Sequence, residues 1–364
     1  MKNNTFCTLF RFVALLGMVN FLASCTSPKL DDESKSLKTS SLTRSNSGLA
    51  PVMQVYVETN DVNPLNAGDY HYMDGTPVVN IVEFFASNIH RRTVNHVTEP
   101  TLWLNPELTR LLEPDPEQPD STGYHKYVKG LQDKGIKVLL SVIGNWQGIG
   151  LCNMNDTQTT QFASILAHVV EKYGLDGIGF SDSYANYGCN SESQNVNPTS
   201  YSQIITKLHS LMPDDKLITV YYWGNIGNVS SDAWACVDYA YTSGWSVSYS
   251  SYIPNPLTMN HWAPISLQLG IFYSDTSYIR LGDNVYYACE DNAAAICSFN
   301  LRTRDDCDPF RIFETIGTEL AYYKDKEPND EGEYIYCDNG NRPQDWDFIS
   351  GGLTITYDDA VNAQ

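Results

Sequence analysis

From residue 50 onward, short runs rich in β-branched and aromatic residues alternate with stretches whose apolar positions recur every three to four residues. The first pattern fits strands and the second fits helices with one buried stripe. Strands are predicted over 53–58, 78–86, 137–143, 175–180, 217–222, 237–242, 265–272 and 293–301. Segment 137–143 (KVLLSVI) is almost continuously apolar, as a strand buried on both faces should be. Helical spacing places Phe162, Ile165, Leu166, Val169 and Val170 on one stripe within 159–173, with Asp156 or Thr157 to cap its start and Gly174 to close it. Ile204, Ile205, Leu208 and Leu211 do the same within 201–212, and residues 310–324 predict a closing helix. Eight strands in order, with helices between several of them, predict an α/β fold: a TIM (β/α)8 barrel. Segments 333–337 and 353–357 predict a short hairpin appended to it.

In that architecture functional groups sit at the C-terminal ends of the strands. The places to search are Glu58, Asn88, Asn145 to Gln147, residues 179–184, Tyr221 to Asn225, Tyr241 to Trp245 and Asn300.

The N-terminal segment has a different pattern. Lys2 and Arg11 precede an apolar run over 12–22, too short for a permanent membrane span. It ends in Leu22-Ala23-Ser24-Cys25, which resembles a bacterial lipobox with Cys25 as the lipidated first mature residue. Residues 26–49 carry few large apolar side chains and predict a flexible tether. Asp31-Asp32-Glu33 resembles the surface-export signal of Bacteroidetes-type lipoproteins. The expected organisation is a signal peptide over 1–24, a lipidated cysteine and tether over 25–49, a barrel over 50–325 and a C-terminal extension over 326–364. The expected location is the outer membrane, exposed at the cell surface.

A net charge of −20 argues against nucleic acid and anionic membrane surfaces as partners, because little basic charge is available to neutralise phosphates. Membrane attachment is expected through the lipid alone. The 24 tyrosines and 7 tryptophans are more than ornament to the core; part of such a set suits stacking on sugar rings. Setting aside Cys7 and Cys25 leaves Cys152, Cys189, Cys236, Cys289, Cys297, Cys307 and Cys337, an odd number without zinc-site spacing. Buried thiols with one or two disulfides are expected, and Cys152–Cys189 and Cys289–Cys307 are the candidate pairs.

The segment from Tyr173 to Gly188 (YGLDGIGFSDSYANYG) resembles the fourth-strand signature of family 18 glycoside hydrolases, closest to the endo-β-N-acetylglucosaminidases of the endo H and endo F type. Their pattern there is Asp-Gly-x-Asp-x-Asp-x-Glu-Tyr, continuing Ala-x-Tyr-Gly. Residues 135–148, 55–58 and 299–301 extend the likeness, which covers residues 50 to about 320. The resemblance implies the barrel, a cleft for N-acetylglucosamine-containing glycans, and neither cofactor nor metal. It also implies substrate-assisted hydrolysis, in which a Glu protonates the leaving oxygen and an Asp orients the attacking acetamido group.

This chain departs from the pattern where it matters. Residues two apart on a strand share a face, so 179, 181 and 183 project together into the mouth. They are Gly179, Ser181 and Ser183, where the family has Asp, Asp and Glu. A serine hydroxyl cannot act as a general acid near neutrality. Asp182 is one residue out of phase and should face the helix layer unless a bulge turns it. Asp176, at the far end of the strand, reads as structural. Glu58 and Glu83 fall at barrel-lining positions that the family does not use for its acid.

The expected activity is therefore binding without turnover, with an oligosaccharide or a glycoprotein glycan as ligand and glycan-uptake proteins as neighbours. The candidate binding residues are Glu58, Asn88, Asn145, Trp146, Ser181, Ser183, Tyr184, Tyr221, Tyr222, Trp223, Tyr241, Trp245 and Asn300. Two alternatives stand beside this expectation: an active glycosidase with relocated carboxylates, and a scaffold that no longer holds sugar.

Overall fold

A computed structural model describes residues 50–189, 195–271, 273–302, 309–344 and 350–363. Its strands, in chain order, are β1 (Val52–Glu58), β2 (Tyr70–Tyr72), β3 (Ile81–Val94), β4 (Val97–Leu104), β5 (Lys137–Ile143), β6 (Gly177–Ser181), β7 (Leu217–Tyr221), β8 (Tyr239–Tyr241), β9 (Trp262–Ala263), β10 (Ser266–Gln268), β11 (Ala295–Phe299), β12 (Ile335–Cys337) and β13 (Leu353–Ile355). The main helices are α1 (Pro106–Leu112), α2 (Asp156–Lys172), α3 (Ser200–Leu211), α4 (Asp275–Glu290), α5 (Pro309–Tyr323) and α6 (Tyr357–Asn362).

Parallel pairing runs in the order β10, β11, β1, β3, β5, β6, β7, β8, β9. Strands β9 and β10 are one wall of the barrel, split at Pro264, which cannot donate to a ladder. The first half pairs with β8 and the second with β11. The eight-walled TIM barrel read from the sequence is therefore the observed fold.

Alternation of side chains gives the barrel two cores. Val55, Val57, Val82, Phe84, Val138, Leu140, Ile178 and Ile218 face outward into the helix layer and belong to the main apolar core. Tyr56, Tyr221, Tyr241, Ala263, Ala295 and Cys297 face inward and form a second, smaller cluster with Phe85, Trp245 and Phe299. The α2 stripe of Phe162, Ile165, Leu166, Val169 and Val170 is buried against the barrel, each side chain contributing roughly 1.5–3 kcal/mol. Its cap is Asn155, ahead of both residues expected. Asn155 accepts from the Gln158 amide and Gln158 reciprocates, a capping box. Gly174 closes the helix at φ +59°.

Three expectations need correction. The second strand begins at Ile81 and continues past Ala86 to Val94, where Asn95 and His96, both at positive φ, turn it back into β4. That two-residue hairpin turn carries β3 well beyond the barrel rim. The tail segments do not pair with each other: β12 joins β2, β13 joins β4, and Tyr357 opens a helix. Each finds an edge already present, which removes unpaired backbone groups. The cysteine pair Cys152–Cys189 does not form. Cys152 is buried while Cys189 is exposed, and neither carries a disulfide. Cys307 lies outside the described residues, and with it the pair Cys289–Cys307.

Candidate glycan-binding mouth

The site is built upward from a buried carboxyl. Glu83 of β3 points inward and is wholly buried. Ser141 Oγ of β5 donates to its Oε2 at 3.0 Å, and Thr219 Oγ1 of β7 donates to its Oε1 at 2.7 Å. Burial pushes its pKa up to about 7, against the pull of the Thr219 and Ser141 hydroxyls and of the Tyr241 and Tyr56 hydroxyls nearby.

Beside it, centred on Tyr56, lies an aromatic hub. The Tyr56 ring meets Phe85, Tyr221, Tyr241 and Trp245 edge-on, with centroids 5.9, 6.4, 6.0 and 6.2 Å away. Tyr221 and Trp245 are stacked at 4.8 Å, and Trp245 touches Phe299 at 5.1 Å. Edge and offset arrangements of this kind favour a fixed geometry over a loose one.

At the rim, Ser181 ends β6, Ser183 follows two residues later, and their hydroxyls bond each other at 2.8 Å. Asp182 stays out of phase, as the period of two predicts. It is buried, accepting from the Asn225 amide at 2.8 Å, from Asn225 Nδ2 at 3.0 Å and from the Tyr187 hydroxyl. It ties two loops together instead of facing the mouth. Asp176, at the other end of the strand, is likewise structural: it accepts from the Val138 amide at 2.9 Å and pairs with Lys137 at 3.0 Å.

The loops after β5 and β6 are joined along their backbones. Gly144, Trp146 and Gly148 amides donate to the carbonyls of Ser183, Tyr184 and Ala185 at 2.8, 2.6 and 3.0 Å. Gly144 is required for this approach, because a Cβ there would lie 2.6 Å from the Ala185 backbone. The join presents Trp146 and Tyr184 side by side, ring centroids 5.4 Å apart, with relative exposures of 51% and 44%. Both sit at positive φ, +57° and +61°, as do Trp245 and Asn300 at two further strand ends. Such backbone is costly for non-glycine residues and collects at functional sites.

Glu58 ends β1 at the same rim. Arg302 reaches its carboxylate at 3.4 Å and also pairs with Asp61. Burial raises the Glu58 pKa, Asp61 adds to the rise, and Arg302 opposes it. Tyr184 feels the Glu58 charge as well, though burial is the larger cause of its raised pKa. The Asn300 Oδ1 is buried without a hydrogen-bond partner among the described residues.

Of the expected binding residues, Glu58, Trp146, Ser181, Ser183, Tyr184, Tyr221, Trp245 and Asn300 gather at the mouth. The others stand elsewhere. Tyr241 is fully buried beneath the hub. Tyr222 turns outward between Trp234 and Trp262. Asn88 donates to the Gly144 carbonyl at 3.0 Å, and Asn145 Nδ2 meets His90 Nε2 at 2.5 Å, so both amides brace the hairpin against the β5 loop. Trp223 is exposed and stands outside the aromatic hub. Phe85, Phe299, Asp61 and Arg302 belong to the mouth but were not among the expected residues. Glu83 had a visible signal, a lone charge inside the apolar run VVNIVEFFA.

No family model matches the sequence. It is 33% identical over 193 residues to endo-beta-N-acetylglucosaminidase F1 of Elizabethkingia meningoseptica, covering 51% of this chain and 53% of that protein. It is 30% identical over 203 residues to an endo-beta-N-acetylglucosaminidase of Flavobacterium sp. (strain SK1022), covering 56% and 60%. The chain therefore spans little more than half the length of the curated relatives it matches. The fold is similar to that of EndoBT-3987 from Bacteroides thetaiotamicron in a crystal structure with Man5GlcNAc product: TM-score 0.58 at 21% identity, over 84% of this chain and 67% of that one. The same protein in complex with Man9GlcNAc2Asn substrate gives 0.57 over 84% and 72%. The barrel is similar to those of endo-β-N-acetylglucosaminidases. At the mouth of this barrel, the positions that carry Asp, Asp and Glu in the family 18 motif that the sequence resembles present one absent side chain and two mutually bonded hydroxyls.

Proposed function

We propose that this protein binds N-acetylglucosamine-containing glycans, N-glycans above all, at the barrel mouth and does not cleave them. The observation that carries the reading is the pair of facing features on the β6 rim. Trp146 and Tyr184 offer exposed ring surface held by costly backbone, while Ser181 and Ser183 occupy the inward positions without a titratable acid. Stacking on the apolar faces of sugar rings supplies affinity, and hydroxyls with high pKa values supply no proton to a leaving group. The relatives are named for endo-β-N-acetylglucosaminidase activity, and the similar barrel was crystallised with Man5GlcNAc and Man9GlcNAc2Asn, which supports this ligand class. Calorimetric titration with Man9GlcNAc2Asn, combined with product analysis of the same sample, tests the reading. Saturable heat with intact glycan is expected.

One observation favours a second reading, that of a hydrolase with a relocated acid. Glu58 is a rim carboxylate with a raised pKa, next to Tyr184. Its contact with Arg302 favours the ionised form, which cannot donate a proton. Glycan release abolished by Glu58→Gln would establish the second reading.

We also propose, on the pattern around Cys25 alone, that the chain is a lipoprotein displayed on the outer membrane beside glycan-uptake proteins. Incorporation of a labelled fatty acid by the full chain, lost in Cys25→Ala, tests the anchor.

A further inference from the structure

Gly179 and Glu83 fit each other across the barrel interior. The register sets Tyr56 beside Glu83 on one side of the interior, and Ser141 beside Gly179 and Gly179 beside Thr219 on the other. A Cβ built on Gly179 would collide with Glu83 Oε2 and stand 2.8 Å from both Glu83 Cδ and Thr219 Oγ1. The obstacle is not a mobile side-chain end. Two strands pin it through Ser141 and Thr219. While Glu occupies position 83, position 179 accepts only glycine.

The motif that this chain resembles has a carboxylate at position 179. A carboxyl fills that space here too, but it hangs from β3 instead of β6. We propose that Glu83 is a positioning residue that takes the place of the side chain absent at Gly179 and, through Tyr56 beside it, holds the aromatic wall of the mouth. Tyr56 is the ring that Phe85, Tyr221 and Trp245 all lean on. Of the three neutral motif positions, Gly179, Ser181 and Ser183, one is thus covered from β3. Ser181 and Ser183 are not. The part of this inference that concerns the aromatic wall rests on the glycan-binding reading; the exchange between 83 and 179 does not.

A double-mutant cycle on the full chain tests it, with Gly179→Asp, Glu83→Ser and the two combined. Gly179→Asp alone overpacks the interior and should lower the melting temperature by on the order of 5 °C or more. Glu83→Ser removes the pinned carboxyl and should also melt lower. The combination returns a carboxyl to the same space from β6 and should melt above both single variants. If Gly179→Asp does not fold, Gly179→Ala replaces it, with the same expected sign. Titration of Man5GlcNAc supplies the second arm: Glu83→Ser should weaken binding several-fold and Glu83→Gln, of the same shape, should restore it. Additive melting shifts overturn the exchange, whatever the chain binds. Unchanged affinity in a folded Glu83→Ser protein overturns the positioning role. Absence of glycan binding by the unmutated protein overturns the glycan reading while leaving the melting cycle to decide the exchange.

Discussion

The Trp146 amide donates to the Tyr184 carbonyl at 2.6 Å, and this one bond sets two exposed aromatic rings next to each other at the barrel mouth. Both residues keep left-handed backbone to do so. A chain selected only for stability would place glycine or asparagine there. The rings are the feature that the strained backbone serves.

Trp146→Ala and Tyr184→Ala should each weaken binding of Man9GlcNAc2Asn about tenfold, corresponding to loss of about 1.4 kcal/mol of contact. Because both side chains are about half exposed and stand outside the apolar core, melting temperatures should move little. Calorimetry and thermal melts on the same preparations separate the two effects.

Stability should depend on pH through Glu83. Its pKa rises from the ordinary 4.5 to about 7 on burial, so between those values the folded protein binds more protons than the unfolded chain. Its contribution is present in full below about pH 4.5 and is lost as pH rises through 7, an effect of about 3 kcal/mol. The titratable groups facing Glu83 are Tyr56, Tyr241 and Cys297, and burial raises the pKa of each. None changes charge in this window. Denaturant melts from pH 4 to 8 should show this slope, and Glu83→Gln should flatten it.

Asp182→Ala should cost about 1–3 kcal/mol by leaving the Asn225 amide and the Tyr187 hydroxyl without their acceptor. Glycan affinity should change less than in Trp146→Ala, since this carboxylate does not face the mouth. Chemical denaturation and calorimetry of the variant check both statements.

Thiol reactivity should follow burial. Cys189 is exposed and should react with a maleimide in the native protein, whereas Cys152 is buried, with a raised thiol pKa, and should react only on unfolding. Mass mapping of the labelled peptides with and without denaturant reads this directly.

The barrel was legible because its signals are local. Lys137–Ile143 and the stripe on α2 announce their elements within a few residues. The period of two also placed 179, 181 and 183 on one face and Asp182 on the other. What stayed hidden depends on partners far away in sequence. β12 and β13 could not be assigned to β2 and β4, because each pairing joins strands about 250 residues apart in the chain. Tyr221 and Tyr222 are neighbours in the chain, but only strand phase sends the first into the mouth and the second to Trp234 and Trp262. Tyr241 shares the inward face yet lies too deep to reach a ligand. The fit of Glu83 to Gly179 joins residues nearly a hundred positions apart, and single-strand patterns carry no trace of it.

The central claim is that the mouth holds a glycan without cutting it. Mass spectrometry of Man9GlcNAc2Asn incubated with an equal concentration of the protein addresses this most directly, provided that calorimetry on the same mixture shows the complex has formed. Bound glycan that stays intact over a day is the expected result. Release of the oligosaccharide at an enzymatic rate would contradict it.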